Sequence, residues 1–346
     1  MINGHGNNLQ DYGDKIKMDF SSNIAFNHSA EQIGNHLKKS MHLISNYPDP
    51  VAKELTQLLA DHHHVSTSHI LVTNGSAEAF YLIAHLFQGV NTAIYTPAFA
   101  EYEDACKLYN HKLSFHPLKE FDSETIAAYN TVWMGNPNNP DGTFLSRSKI
   151  DDYCQKSAHT HLIVDEAYTH LCSPLSTSLR GHIHANLITV HSLTKAFAIP
   201  GLRLGYIIAH PSLITRLAEM RPPWTVNALA LEAGCYIMKN YDRLHPSLTV
   251  LQEESVFLQK SLDAIAGIKV YPSLCNFFLC ELADITASEC KQILIDKYGI
   301  LIRDASNFRG LSINHIRIAA QSHHVNLKLI DALHEIMQLK RTQTGR

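Results

Sequence analysis

Six short apolar runs, rich in β-branched residues and spaced far enough apart to leave room for helices, constrain this chain most. They are Ile70-Leu-Val-Thr73, Thr92-Ala-Ile-Tyr95, Asn130-Thr-Val-Trp-Met134, His161-Leu-Ile-Val164, Leu187-Ile-Thr-Val190 and Gly205-Tyr-Ile-Ile-Ala209. A run that is apolar on both faces suits a strand covered on both faces, and residues 76–88 between two of them suit a helix. The expected fold class is α/β, an open and mostly parallel sheet covered by helices. Ligands of such sheets bind beyond the carboxyl ends of strands. Five of the runs are followed there by polar or turn residues: Asn74-Gly75-Ser76, Pro97, Gly135-Asn-Pro-Asn-Asn-Pro140, Asp165-Glu166 and Ser192-Leu-Thr-Lys195. Five strand ends are expected to meet at one crevice.

Around Pro222-Pro223-Trp224 the pattern changes. Helical segments over 228–238 and 248–264 precede short runs at 267–271, 276–281, 300–303 and 315–319. A smaller α+β domain is expected, joined by the N-terminal arm. The division is 1–40 for the arm and part of the small domain, 41–222 for the large domain and 223–346 for the C-terminal small domain. A chain of 346 residues, 45% hydrophobic, can bury both cores. Its net charge of -3 provides no long-range field for nucleic acid or an anionic membrane, so a small-molecule partner is expected. With no apolar leader and no membrane-length run, a cytoplasmic location is expected. The seven scattered cysteines include no C-x-x-C pair and are expected to be reduced thiols. His62-His63-His64 are adjacent and so point apart on a helix; they are read as a solvated helix end, and no metal is expected. The basic end from Lys340 is read as a frayed tail.

The chemistry concentrates in Ser192-Leu-Thr-Lys195-Ala-Phe-Ala-Ile-Pro-Gly-Leu-Arg203-Leu-Gly205, which places a hydroxyl, an amine and a guanidinium together. A lysine between two apolar runs is desolvated, which lowers its pKa and frees it to form an imine. Alone, an S-x-x-K is more often a surface lysine on a loop. Asp165, at the end of a buried run, can keep a pyridine nitrogen protonated, although an aspartate there is commonly a turn or cap. Tyr168 and Asn139 can reach the ring's phenolic oxygen from two sides. Gly75-Ser76-Ala77 opens a helix whose free N–H groups bind phosphate, and Ser192 and Arg203 would complete a cup. Phe99 or Tyr102 can stack on the ring. Pyridoxal 5′-phosphate (PLP) is the cofactor this set suits.

The order and spacing of these elements resemble the fold-type I PLP enzymes of the aminotransferase superfamily across nearly the whole chain. The resemblance implies a mostly parallel seven-stranded sheet between helices, a smaller α+β domain and a homodimer with shared active sites. Under it, Tyr47 in Asn46-Tyr-Pro-Asp49 matches a tyrosine that reaches the cofactor phosphate of the other subunit, and Arg317 matches an arginine that forks onto the substrate carboxylate. Finer stretches are most similar to the L-threonine-O-3-phosphate decarboxylases of cobalamin biosynthesis. These include Gly4-His5-Gly6-Asn7, Phe20-Ser-Ser-Asn-Ile24, Pro223-Trp-Thr-Val-Asn-Ala-Leu-Ala230 and Ile300-Leu-Ile-Arg303. That resemblance implies that His5 and Arg303 bind the substrate phosphate. It departs at Asn7, Asp141 and Arg309, where glycine, threonine and proline are usual. The implied reaction is decarboxylation of L-threonine O-3-phosphate to (R)-1-amino-2-propanol O-2-phosphate. The alternatives are a histidinol-phosphate or related aminotransferase, which has the same Tyr-Pro and Ser-x-x-Lys features, and a non-catalytic PLP-binding domain.

Overall fold

The computed structural model describes residues 9–122, 127–172 and 179–344. Its strands are β1 (Met18–Asp19), β2 (Ile70–Thr73), β3 (Asn91–Thr96), β4 (Lys112–Pro117), β5 (Thr131–Gly135), β6 (His161–Asp165), β7 (Leu187–Ser192), β8 (Gly205–Ala209), β9 (Ile268–Tyr271), β10 (Phe277–Leu282), β11 (Ile300–Leu301), β12 (Arg303–Asp304) and β13 (His315–Ala319). Seven form one sheet in the order β2-β8-β7-β6-β5-β3-β4. β8 runs antiparallel to both neighbours and the other pairings are parallel. All six apolar runs lie in this sheet. β2, β5, β7 and β8 are buried along their whole length, as runs without polar alternation require. The seventh strand, β4, is a half-buried edge strand with no continuous apolar run to mark it.

Register, not proximity in sequence, builds the crevice. Gly205 at the start of β8 pairs with Thr73 of β2 on one side and Ser192 of β7 on the other. Asp165 of β6 lies opposite Gly135 of β5. The ends of the parallel strands and the beginning of β8 therefore share one edge of the sheet.

A second, antiparallel sheet has the order β12-β13-β10-β9. It packs against the helices Leu248–Asp263 and His323–Thr344 around a core of Phe278, Ile316, Ile318 and Leu333. The arm joins it, because β1 pairs in parallel with β11 and the Ala319 N–H donates to the Phe20 carbonyl at 2.9 Å. The helices Ser29–Lys39 and Ala228–Lys239, by contrast, share a core with Leu55, Val72 and Tyr206 of the large sheet. Both helices thus pack on the large sheet's side, one before position 40 and one after 222.

Three expectations are corrected. Cys172 and Cys275 form a disulfide between segments 103 residues apart, joined by an isolated antiparallel bridge. Their scatter along the chain concealed a pairing that only the fold creates; the other five cysteines are free and buried. The histidine run ends the helix Lys53–His63, but only His64 is exposed there. His63 is buried, with its Nε2 2.8 Å from the Tyr206 hydroxyl, and burial pushes its imidazole strongly below the ordinary value. Lys340 is not in a frayed tail either: the last helix continues to Thr344, and Lys340 Nζ donates to Glu289 at 2.6 Å.

Candidate active site

A cavity of about 1010 Å³ opens at the carboxyl edge of the large sheet, where the second domain closes over it. Lys195, Ala77, Phe99, Asn139, Tyr168 and Arg203 line it from the large domain, and Arg303 and Arg317 from the small one. These residues are spread over more than two hundred positions of the chain, and the fold brings them to one cavity.

Lys195 sits between β7 and β8 in a segment pinned by its own carbonyl, which accepts from the Ala25 N–H at 3.0 Å. Burial first, then the charges of Arg317 and Arg203, pull its amine down to about 8. An amine so placed has a substantial neutral fraction near neutral pH and can attack a carbonyl. Beside it, Ser192 Oγ is 2.8 Å from Thr194 Oγ1.

Next to Lys195 the backbone forms a concave cradle. The helix Gly75–Leu86 starts there, Gly75 adopts φ +75°, and a Cβ on it would lie 2.7 Å from Arg203 Nη2. A Cβ on Gly205 would lie 2.8 Å from both the Gly75 carbonyl carbon and the Ser76 nitrogen. Only glycine at 205 lets β8 press against the helix start. The helix N–H groups, Ser192 and the Arg203 guanidinium can together hold a phosphate.

Asp165 is buried behind the cavity. Tyr102 Oη donates to its Oδ2 at 2.6 Å and the Ala167 N–H to its Oδ1 at 2.9 Å. Burial pushes its carboxyl up to about 6 against the pull of Tyr102, Ala167 and Lys195. Tyr102 is thus a buttress of Asp165, packed against Phe80, Phe99 and Trp133. Phe99 is the aromatic that faces the cavity. Tyr168 lines it too, edge-on to Phe277 at 4.8 Å, and burial raises its hydroxyl to about 12.

Arg303 and Arg317 stand directly opposite each other on β12 and β13. They are 8% and 5% exposed, and like charges so placed repel. Burial and Arg317 bring Arg303 down to about 10. Arg317 Nη1 donates to Asn139 Oδ1 and its Nη2 to the Ser21 carbonyl, both at 2.5 Å, while its Nε has no partner. Arg303 Nη2 donates to Asn307 Oδ1 at 2.7 Å. Asn23, 3% exposed and also in the cavity wall, reaches the Tyr168 hydroxyl with its side chain. A buried guanidinium nitrogen left without a partner at a cavity lined by Lys195, Arg203, Arg303 and Arg317 fits a bound polyanionic group. The donors present fit PLP: an amine, a phosphate cradle, a buried carboxylate and an aromatic face.

The wall formed by Ser21, Ser22 and Asn23 was missed as a site by sequence reasoning; its signal lay within Phe20-Ser-Ser-Asn-Ile24. Tyr47 lies on the surface, 83% exposed and 5.1 Å from the Trp224 ring, so it does not join this cavity within one protomer. His5 and Asn7 lie outside the described residues. Asp141 serves the turn after β5, accepting from Asn138 Nδ2 at 2.9 Å and the Thr143 N–H at 3.1 Å. Arg309 sits at the cavity mouth, where its Nη2 donates to Glu103 at 2.9 Å.

Comparisons with known proteins agree with this arrangement. Residues 15–333 match the family model for aminotransferase class I and II. The crystal structure of L-threonine-O-3-phosphate decarboxylase from Porphyromonas gingivalis is 36% identical, with a TM-score of 0.88 over 93% of this chain and 99% of that one. Threonine-phosphate decarboxylase of Salmonella typhimurium is 30% identical over 96% of both chains. Histidinol-phosphate aminotransferase of Caldanaerobacter subterraneus is 32% identical over 93% of both.

Proposed function

This chain belongs to the class I and II aminotransferase family, and on that premise we propose that it is a PLP-dependent decarboxylase of L-threonine O-3-phosphate in cobalamin biosynthesis. Identities of 30%, 32% and 36% do not divide decarboxylase from aminotransferase. The observation that carries the choice is the facing pair Arg303 and Arg317 in one buried wall. Two guanidiniums side by side match a substrate that bears two anionic groups a few bonds apart. L-Threonine O-3-phosphate has a phosphate on Cβ and a carboxylate on Cα, one for each arginine in a single substrate, whereas histidinol phosphate carries only one anionic group and leaves the pair to the dicarboxylate of the other half-reaction.

When bound, PLP supplies an electron sink that accepts the pair released at the substrate Cα. Lys195 is the residue that would hold the cofactor, with its phosphate in the cradle of Gly75, Ser76, Ala77, Ser192 and Arg203. Asp165 would hold the proton of the ring nitrogen, Phe99 would cover the ring, and Tyr168 and Asn139 would hydrogen-bond its phenolic oxygen. Arg303, with His5 of the arm, anchors the substrate phosphate; Arg317 guides the carboxylate. Fixing both ends orients the Cα–carboxylate bond for cleavage, so that binding energy is spent on geometry at the reacting centre. Carbon dioxide leaves, and Lys195 or a water it orients returns one proton to Cα, giving 1-amino-2-propanol O-2-phosphate. Tyr47, exposed on each protomer, reaches the partner's cofactor in a cytoplasmic homodimer.

The test is a substrate series on the PLP-loaded protein: L-threonine O-3-phosphate, L-threonine, and histidinol phosphate with 2-oxoglutarate. The expected result is turnover of the first alone. Equal or faster glutamate formation from histidinol phosphate would assign the aminotransferase function instead.

A further inference from the structure

We propose that Asp151, His182 and His184 form a divalent-cation site, with zinc the ion that its donors suit. Asp151 lies on the helix Arg147–Lys156, and the two histidines on the segment that leads into β7. One ligand atom from each of the three lies within 4.8 Å of the others, and among the described residues no other trio of His, Cys, Asp or Glu converges in this way. His182 Nδ1 is 3.1 Å and His184 Nε2 2.8 Å from the same Asp151 oxygen.

Zinc bonds of about 2.0–2.1 Å to nitrogen and oxygen place tetrahedral ligand atoms roughly 3.4 Å apart. Seating an ion between these donors therefore asks the Asp151 oxygen to part from the two ring nitrogens by about 0.3–0.6 Å and those nitrogens, at most 4.8 Å apart, to settle near the same spacing. The side chains are 23–30% exposed, enough for an ion to enter and for water to complete its coordination. Two neutral imidazoles and one carboxylate form a mixed nitrogen and oxygen set that suits zinc among first-row ions.

The segment bearing the histidines is already shaped by its backbone, which presents both rings to one carboxylate. The His182 N–H donates to the Leu179 carbonyl at 2.9 Å and the Leu187 N–H to the His184 carbonyl at 3.2 Å. A bound ion would bolt this segment to the helix Arg147–Lys156 on the large domain. The site shares no residue with the Lys195 cavity, and its occupancy does not depend on the reaction assigned there.

The test uses the PLP-loaded protein, freed of metal and titrated with zinc by calorimetry and with cobalt(II) by visible absorption. The expected result is one zinc per chain at this site, a cobalt spectrum of low coordination number, and a higher melting temperature with zinc. Asp151→Asn and His184→Gln should each weaken zinc binding by at least about 10-fold, while His64→Gln, in the nearby histidine run, should leave it unchanged. Cofactor absorbance and circular dichroism report that each variant is folded. The proposal is overturned if folded Asp151→Asn and His184→Gln bind zinc as the unaltered protein does. It is equally overturned if the unaltered protein takes up no zinc, or if it shows only the weak octahedral cobalt spectrum, a result that needs no variant.

Discussion

Replacing Tyr102 with phenylalanine removes one hydroxyl and little else, which makes it a clean probe of the carboxylate behind the cavity. Tyr102 Oη donates to Asp165 Oδ2 at 2.6 Å, and both residues are closed to water. Burial already raises the Asp165 carboxyl to about 6, with Tyr102 the first of the groups pulling it back. A hydrogen bond to a charged acceptor contributes about 1.5–3 kcal/mol, and one pKa unit corresponds to about 1.4 kcal/mol. Losing the hydroxyl should therefore raise Asp165 by about one to two units. A ring cation beside Asp165 lowers both proteins' values alike and leaves that difference. The phenyl ring keeps its packing against Phe80, Phe99 and Trp133. Because the carboxylate is lost as pH falls, the acid limb of the kcat/KM profile should move to higher pH by about one to two units, with the alkaline limb in place. The assay is decarboxylation of L-threonine O-3-phosphate by both PLP-loaded proteins across pH. Coincident acid limbs would refute the role given to Tyr102 and to an ionised Asp165.

Four other outcomes are expected. With Lys195 brought down to about 8, PLP uptake by the cofactor-free protein should accelerate as pH rises through about 8 and then level off; stopped-flow absorbance that still climbs near the ordinary lysine range would contradict this. Between those two values the unfolded chain holds one more proton than the folded cofactor-free protein, so the stability of that form should rise with pH there, as denaturant titrations would show. Gly205→Ala sets a Cβ against the backbone of Gly75, Ser76 and His191, and is expected to cost about 1–3 kcal/mol in the melting transition and to weaken PLP binding. Arg303→Gln should raise KM for the phosphorylated substrate more than it lowers kcat, and Arg317→Gln should lower kcat more, as steady-state kinetics on the two variants will reveal.

The large sheet was legible because its buried strands are apolar on both faces, a pattern that survives without knowledge of neighbours. β4 was not, since an edge strand such as Lys112–Pro117 is half solvated and its sequence reads as a loop. Lys195, Arg203 and Asp165 were legible for a related reason: each sits within a few residues of a strand end, so chain position nearly fixes place in the fold. The facing of Arg303 and Arg317 depends on the register between β12 and β13, which no local pattern encodes. Likewise, Phe99 and Tyr102 were indistinguishable as ring-stacking candidates. The helix that starts at Ala100 separates them, burying Tyr102 against Asp165 and leaving Phe99 at the cavity. The Cys172–Cys275 bond and the buried His63 were hidden similarly, by contacts between segments far apart in the chain.

The most direct test of the central claim follows carbon dioxide release and cofactor absorbance together while the PLP-loaded protein acts on L-threonine O-3-phosphate. The account predicts many equivalents of carbon dioxide per active site with the cofactor remaining in its aldehyde-derived form. Conversion of the cofactor to the pyridoxamine form without carbon dioxide would contradict it.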